Sequence, residues 1–537
     1  MHFDFSALAR PTLRRKPLFA ANGVVATSQP LAAQAGLAAL KQGGNAVDAA
    51  LAAAITLTVV EPVCCDVGGD LFALVWDGSK LHGLNGSGRA PAGLTPEKIH
   101  KRGYATMPVR GWLSVTVPGV VAAWRDLHQR FGKLPFATLF EAAIAYAQQG
   151  YPVSPTVFWL WRWGADNHTG LQGAEYSGFE EVFAPGGQIP QVGEIWRNPG
   201  LARTLQRIAE SDGQDFYTGE IAQKIAAFAA QTGGVLTLAD LQEHCSTWVE
   251  PISTTYRGYD VWELPPNGQG LTALLALNIL EGFDLAQYPR ESAQSYHVQI
   301  EALKLAFIEA QRYVADPERV PVPTRELLSK KFAARRRALI GERALLPEPS
   351  EKLTSDTVYL CTADADGMMV SLIQSASGIF GSHVAVPGTG ITLQNRAAGF
   401  SLDPTHLNYL APGKRPFHTI IPGFLTHDGE AVASFGVVGG HMQPQGHMQM
   451  IVNMLDYGMD PQTSLDAPRW WWGKERQIQV EPGVTPTIVE TLSQRGHELS
   501  VNGETDFAGR GQIIWRLPSG AYVAGSETRA DGCALGY

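Results

Sequence analysis

Two apolar runs meet across one tight turn in the second half of this chain. Residues 356–362 lead into Asp364-Ala365-Asp366-Gly367, and residues 368–381 lead away from it. An Asp-Gly step between apolar runs is a strong hairpin signal, because glycine adopts the backbone angles that a tight turn needs. Thr357 opens the first strand of this hairpin.

The sequence upstream is helix-rich. Residues 24–60 read as two alanine-rich helices broken at Gly43-Gly44, and small side chains let such helices pack closely. Residues 49–60 are apolar enough to raise the question of a membrane span but too short to cross comfortably. Asn45 followed by Asp48 is the capping pattern of a water-soluble helix, so this segment is expected to be buried. Strands follow at 71–76 and 81–84, then a flexible stretch, 85–91, that carries Arg89. Trp159, Trp161 and Trp163 cluster on a short stretch, where packing or an interface is the expected use. Residues 256–264 read as one strand. Apolar residues at helical spacing make 297–313 a helix, on which His297 is expected to be structural. Residues 321–355, rich in Arg, Lys, Glu and Pro, are expected to form a solvated excursion in which cleavage is tolerated. Downstream of Thr357 the pattern is strands and tight turns, with helices near 444–457 and 485–494. Strand pairs mixed with long helices on this scale suggest stacked sheets covered by helices.

Composition narrows the function classes. A net charge of −9 and a pI near 5.9 argue against a nucleic-acid binder. Five irregularly spaced cysteines, Cys64, Cys65, Cys245, Cys361 and Cys533, fit neither a disulfide framework nor a zinc site, and suit a reducing compartment. No long apolar segment follows the first residues, so a cytoplasmic location is expected, with no membrane partner. There is no phosphate loop and no metal-ligand set, so no cofactor or metal is expected.

Long ordered motifs carry a resemblance. Thr357 onward, Gly378-Ile379-Phe380-Gly381, Val386-Pro387-Gly388-Thr389-Gly390-Ile391, Ala411-Pro412-Gly413-Lys414-Arg415-Pro416, Gly439-Gly440, Asp466-Ala467-Pro468-Arg469 and Ala534-Leu535-Gly536-Tyr537 resemble the small subunit of the γ-glutamyltranspeptidase family. Residues 43–50, Glu61-Pro62, Gly68-Gly69 and Asp316-Pro317 are similar to its large subunit. The resemblance implies an α+β chain with the N-terminal-nucleophile hydrolase fold, a four-layer αββα sandwich. It implies a precursor cut between Asp356 and Thr357. Residues 1–356 would be the large subunit and 357–537 the small one, both contributing to one domain, with a dimer of such heterodimers possible. A threonine hydroxyl is a weak nucleophile that needs a base, and cleavage frees an α-amine of the same residue with a reference pKa of roughly 8.

Position by position, the resemblance implies that Thr357 is the nucleophile, Ser375 its hydrogen-bonding hydroxyl, and Gly439 and Gly440 the donors to the oxyanion. Without it, Gly439-Gly440 reads as a plain β-turn. The departures concern substrate. Gly399 stands where the family has a carboxylate that pairs with a glutamyl α-ammonium. Arg396 adds positive charge, Ser377 replaces an asparagine, His418-Thr419 replace a serine pair, and Arg89 lies two residues from the family's arginine position. Arg89, Ser377, Arg396, His418 and Thr419 are therefore the candidate substrate contacts, although Arg89, Arg396 and His418 suit structural roles equally well. A carboxylate amide lacking an amine fits this set, and the chain looks like the branch that converts oxamate to oxalate and ammonia in purine-nitrogen breakdown. The alternatives are γ-glutamyl transfer or hydrolysis, a glutaryl-cephalosporin-type acylase, and an uncleaved, inactive scaffold.

Overall fold

The computed structural model describes residues 15–346 and 356–537. Its centre is two seven-stranded sheets lying face to face. The hairpin sheet runs Cys533–Gly536, Gly23–Thr27, Asp356–Asp364, Met369–Ser377, Asp70–Trp76, Leu81–Gly86, Thr247–Val249, antiparallel throughout. The facing sheet runs Leu18–Ala20, Tyr522–Ser526, Gly511–Arg516, Glu430–Val437, Gly423–His427, Tyr259–Glu263, Ile252–Tyr256, also antiparallel.

Alternation along one strand shows why four layers form. Successive side chains of a strand point to opposite faces. Val358 and Leu360 enter a cluster with the helices Pro30–Lys41 and Ala46–Val60. Tyr359, Cys361 and Ala363 enter a second cluster with Phe424, Ile514 and Ala524 of the facing sheet. Both faces are covered, so every residue of Asp356–Asp364 is buried. The outer face of the facing sheet is covered by Gly270–Leu280, Ala293–Tyr313 and Met442–Leu455. The expected αββα sandwich is present.

The alanine-rich pair packs as closely as its composition allows. A Cβ on Gly36 would lie 2.8 Å from the carbonyl of Ala49 on the neighbouring helix. Ala46–Val60 is buried along its whole length and opens on the Asn45–Asp48 capping box. No helix among the described residues is long and apolar enough to cross a membrane.

Four readings need correction. Gly23–Thr27 is a strand, not the start of a helix; its edges pair with Asp356–Asp364 and Cys533–Gly536, partners that lie far away in sequence. Residues 256–264 are not one strand: Ile252–Tyr256 and Tyr259–Glu263 form a hairpin that turns at Arg257 (φ 51°) and Gly258 (φ 83°). The tryptophans sit on a full helix, Pro155–His168, and Trp161 packs edge-on to Phe380 just beyond the Ser377-Gly378 turn. Residues 324–346 are not a solvated excursion. Leu327, Phe332 and Ala333 are buried, and the Arg337 Nε donates to the carbonyl of Ile279. The remainder of that segment, 347–355, lies outside the described residues.

Candidate active site

Thr357 sits at an irregularity in its own strand. Asp356 pairs with Ser377 and Val358 with Gln374, so the second strand carries one extra residue opposite Thr357. Bulges of this kind re-aim side chains and are common beside active sites. Ser377 absorbs the distortion with φ at 77°. Thr357 is 1% exposed.

The bulge gathers three polar groups around Ser375. The Thr357 hydroxyl donates to Ser375 Oγ at 3.2 Å, and the Ser377 N–H donates to the same oxygen at 2.8 Å. Ser375 in turn donates to the carbonyl oxygen of Asp356 at 2.6 Å. A serine has one donor and two acceptor positions, and all are used. The carbonyl that receives this bond belongs to the peptide joining Asp356 to Thr357. The Asp356 carboxylate accepts from the Thr357 N–H at 2.9 Å and from Arg510 at 2.5 Å.

From Arg510 the contacts run to the glycine pair. Its carbonyl accepts from Val438 N–H, and Val438 leads into Gly439 (φ 114°) and Gly440 (φ 60°). Side chains rarely tolerate two successive residues of this kind. Among the described residues, neither glycine N–H has an acceptor. Gln269 Nε2 donates to the carbonyls of both Gly440 and Thr419, at 2.8 and 2.5 Å, and so joins the glycine turn to the next group.

That group centres on Asp70, which stands directly opposite Ser375 in the sheet register. Its carboxylate accepts from Gly88 N–H, Gly119 N–H and Gln394, and from His418 Nε2 at 3.1 Å. Ile420 N–H donates to the other ring nitrogen of His418, which fixes the neutral tautomer. Burial, then the neighbouring Arg396, push His418 down to about 4. Arg396 is fully buried and donates once, to Thr419 Oγ1 at 2.8 Å. Its Nε and second terminal nitrogen are buried with no partner among the described residues. Burial lowers its guanidinium to about 10, with Asp70 opposing, so it stays charged at neutral pH. Arg89 points elsewhere, pairing with Glu318 at 2.6 Å.

Under Asp356 lies a second buried polar group. Burial raises Glu61 to about 7, against the pull of Arg510 and a 2.5 Å bond from Ser28. Burial also works against the charge on Arg510, yet Asp356, Cys64 and Glu61 together hold it above its ordinary value. Sequence reading missed Asp70, Gln269, Arg510 and Glu61 as site residues. Glu61 and Asp70 lie in or beside quoted motifs, whereas nothing local marks Gln269 or Arg510.

One histidine–carboxylate group, His297, Glu301 and His497, has metal-like spacing. The atoms that face one another are otherwise engaged, and His497 Nδ1 is the ring nitrogen of the group left without a partner among the described residues. His297 bonds His497 and the carbonyl of Gly341, and Glu301 takes Lys304 Nζ at 2.8 Å and the Leu345 N–H. Lys304 already supplies the positive charge, so the group reads as an internal anchor for residues 341–345.

The γ-glutamyltranspeptidase family model matches residues 32–537. The chain belongs to the γ-glutamyltranspeptidase family. It is 38% identical to the glutathione hydrolase-like YwrD proenzyme of Bacillus subtilis (strain 168), over 97% of this chain and 99% of that one. It is 34% identical to the oxamate amidohydrolase proenzyme of Klebsiella pneumoniae, over 96% and 98%. The crystal structure of cephalosporin acylase from Bacillus halodurans superposes with a TM-score of 0.95 at 51% identity, covering 100% of this chain and 99% of that chain. The sandwich is thus the N-terminal-nucleophile hydrolase fold, and the family it belongs to is one of amide hydrolases.

Proposed function

We propose that the chain is a precursor that cuts itself before Thr357, leaving residues 1–356 and 357–537 as large and small subunits of one amidohydrolase. The observation that carries this is Ser375, whose hydroxyl touches both the Thr357 hydroxyl and the carbonyl of the bond to be cut. Attack of Thr357 Oγ on that carbonyl breaks the C–N bond, leaves an ester, and frees the α-amine. Water then hydrolyses the ester, leaving a new main-chain carboxylate on Asp356 and restoring the Thr357 hydroxyl. In the mature enzyme the amine takes the hydroxyl proton during attack on substrate and passes it to the leaving ammonia or amine. The unengaged N–H groups of Gly439 and Gly440 suit the oxyanion, where each such donor is typically worth about 3–4 kcal/mol of barrier.

The substrate in this reading is an amide whose acyl group carries a carboxylate and no ammonium. Arg396 supports it with a buried positive charge and two unpartnered nitrogens, since a buried cation favours an anionic partner. Gly399 supplies no carboxylate for an ammonium, and a Cβ there would lie 2.8 Å from the carbonyl of Phe417, so a larger side chain fits only if the backbone shifts. Oxamate is the smallest such amide and the first to test. A longer acyl group is the second reading, supported by the 51% identity to a cephalosporin acylase.

Mass spectrometry of purified protein tests the first step, with two pieces divided before Thr357 expected, and one intact chain for Thr357→Ala. An intact, inactive wild-type chain would leave only the scaffold reading. Ammonia release from oxamate, compared with turnover of a γ-glutamyl anilide, tests the substrate class.

A further inference from the structure

In the uncut chain, the acyl group that Thr357 attacks is the chain's own Asp356. Counted from the reacting carbonyl carbon, its side chain runs through Cα and Cβ to a carboxylate. That is the skeleton of a four-carbon diacid joined through one end. Its carboxylate is held at 2.5 Å by Arg510, whose backbone is pinned beside the Gly439-Gly440 turn through Val438. The pair is nearly enclosed, with side chains 12% and 10% exposed. Glu61 is tied to Ser28, and the other polar neighbour of Arg510, the Cys64 sulfur, is 3.8 Å away. Among the described residues, Asp356 is therefore the carboxylate that Arg510 bonds directly.

We propose that Arg510 is the anchor for the substrate's carboxylate, occupied in the precursor by Asp356 and released to substrate by cleavage, so that the preferred substrate is the mono-amide of a four-carbon diacid. This rests on the self-processing, amine-free reading above and adds the acyl length. Self-cleavage and turnover then share one intermediate type, an ester of Thr357 Oγ with an acyl group whose second carboxylate lies two carbons away on Arg510. In turnover, Thr357 Oγ bonds to the amide carbon, the C–N bond breaks, and the amine leaves with the proton. Water cleaves the ester to free the diacid. Arg396 fixes the sign of the acyl group, and Arg510 fixes where along it the charge sits. In oxamate the carboxylate is bonded directly to the reacting carbonyl, two carbons short of this position.

The test uses the mature wild-type enzyme with oxamate, malonamate, succinamate and glutaramate, and with neutral butyramide. Succinamate is expected to have the highest kcat/KM, at least tenfold above oxamate and a hundredfold above butyramide. Succinate should inhibit competitively at least tenfold better than oxalate. Arg510→Lys should narrow the spread among chain lengths, whereas Arg396→Gln should lower all four anionic amides by a similar factor. If oxamate is best, or the length series is flat, the anchor is overturned and the amine-free reading stands. If none of the four is cut while a γ-glutamyl anilide is, that reading falls as well. Should Arg510→Lys fail to mature, the wild-type length series and the diacid inhibition decide alone.

Discussion

Arg469 and Arg396 are equally hidden, 1% and 2% exposed, yet they are bonded in opposite ways. Arg469 donates to the carbonyls of Leu465, Ala508 and Gly509 and to the carboxylate of Glu527. Arg396 donates once, to Thr419. Burying a charge without partners is costly, and buried polar groups are almost always matched. A guanidinium whose terminal nitrogens both meet fixed acceptors holds the fold together. One that leaves two of its three nitrogens without an acceptor among the described residues is set up for a group that arrives later. Arg510 lies between the two, bonded to a carboxylate that sits at the proposed cleavage bond.

The largest effect expected from this contrast is on stability. Arg469→Met leaves Glu527 buried with only Arg529 as a cationic partner and frees three carbonyls. Breaking a buried pair of this kind costs about 3–5 kcal/mol. Chemical denaturation of the processed enzyme should show a loss of that size. Less than about 1 kcal/mol, an ordinary surface-mutation effect, would dissolve the distinction between the two arginines.

Next is a pH effect centred on Arg510's neighbour. Glu61 is raised by burial from 4.5 to about 7, so between those values the folded protein keeps a proton that the unfolded chain has lost. The resulting stability is whole below pH 4.5 and disappears as pH rises through about 7, on the order of 3 kcal/mol in all. Glu61→Gln should flatten this slope. Asp66, also raised to about 7 by burial, leaves a smaller slope in the variant. Urea midpoints at pH 5 and 8 measure both, and parallel slopes in the two proteins would remove Glu61 from the account.

How much of this could be read without coordinates differs by residue. The hairpin was legible because Asp366-Gly367 and its flanking apolar runs are local signals. Gly23–Thr27 was not, because the choice of strand over helix there is made by partners more than 300 residues away. Thr357, Ser375 and the glycine pair were identified through resemblance; periodicity alone gave a strand and a turn. Arg396 and His418 stood out as departures from a family pattern, but their meaning depends on Asp70, 348 residues from His418. Arg510 reaches Asp356 across 154 residues and carries no motif at all. The charged segment before residue 346 misled because its composition suggests solvent, whereas its few apolar side chains are the ones that dock.

A third expectation sharpens the contrast directly. Arg396→Gln should change stability by less than about 1 kcal/mol, because its lost bonds are few. It should raise KM for a carboxylate-bearing amide at least tenfold, about 1.4 kcal/mol, while leaving a neutral amide unchanged. Steady-state kinetics on the pair of substrates separates the two outcomes. Equal changes for both substrates would place Arg396 with Arg469 as a structural residue.

The smallest effect concerns Gly399, which closes the short turn Arg396–Gly399. Its own carbonyl accepts from Asn408 at 2.5 Å, and a Cβ would meet the Phe417 carbonyl at 2.8 Å, closer than side-chain carbons normally approach. Because Phe417 is held through its N–H by Asn408 as well, the contact cannot relax by moving one side chain. Gly399→Ala should therefore cost about 1 kcal/mol, at the low end for overpacking. It should also nudge the turn that carries Arg396, giving a roughly threefold rise in KM for anionic amides in the same direction as Arg396→Gln. Gly399→Asp supplies the carboxylate of the γ-glutamyl enzymes, but the same collision displaces it. Assay with a γ-glutamyl anilide should show no gain, and a large gain would mean that a single side chain, not the backbone packing beneath it, separates the two substrate classes.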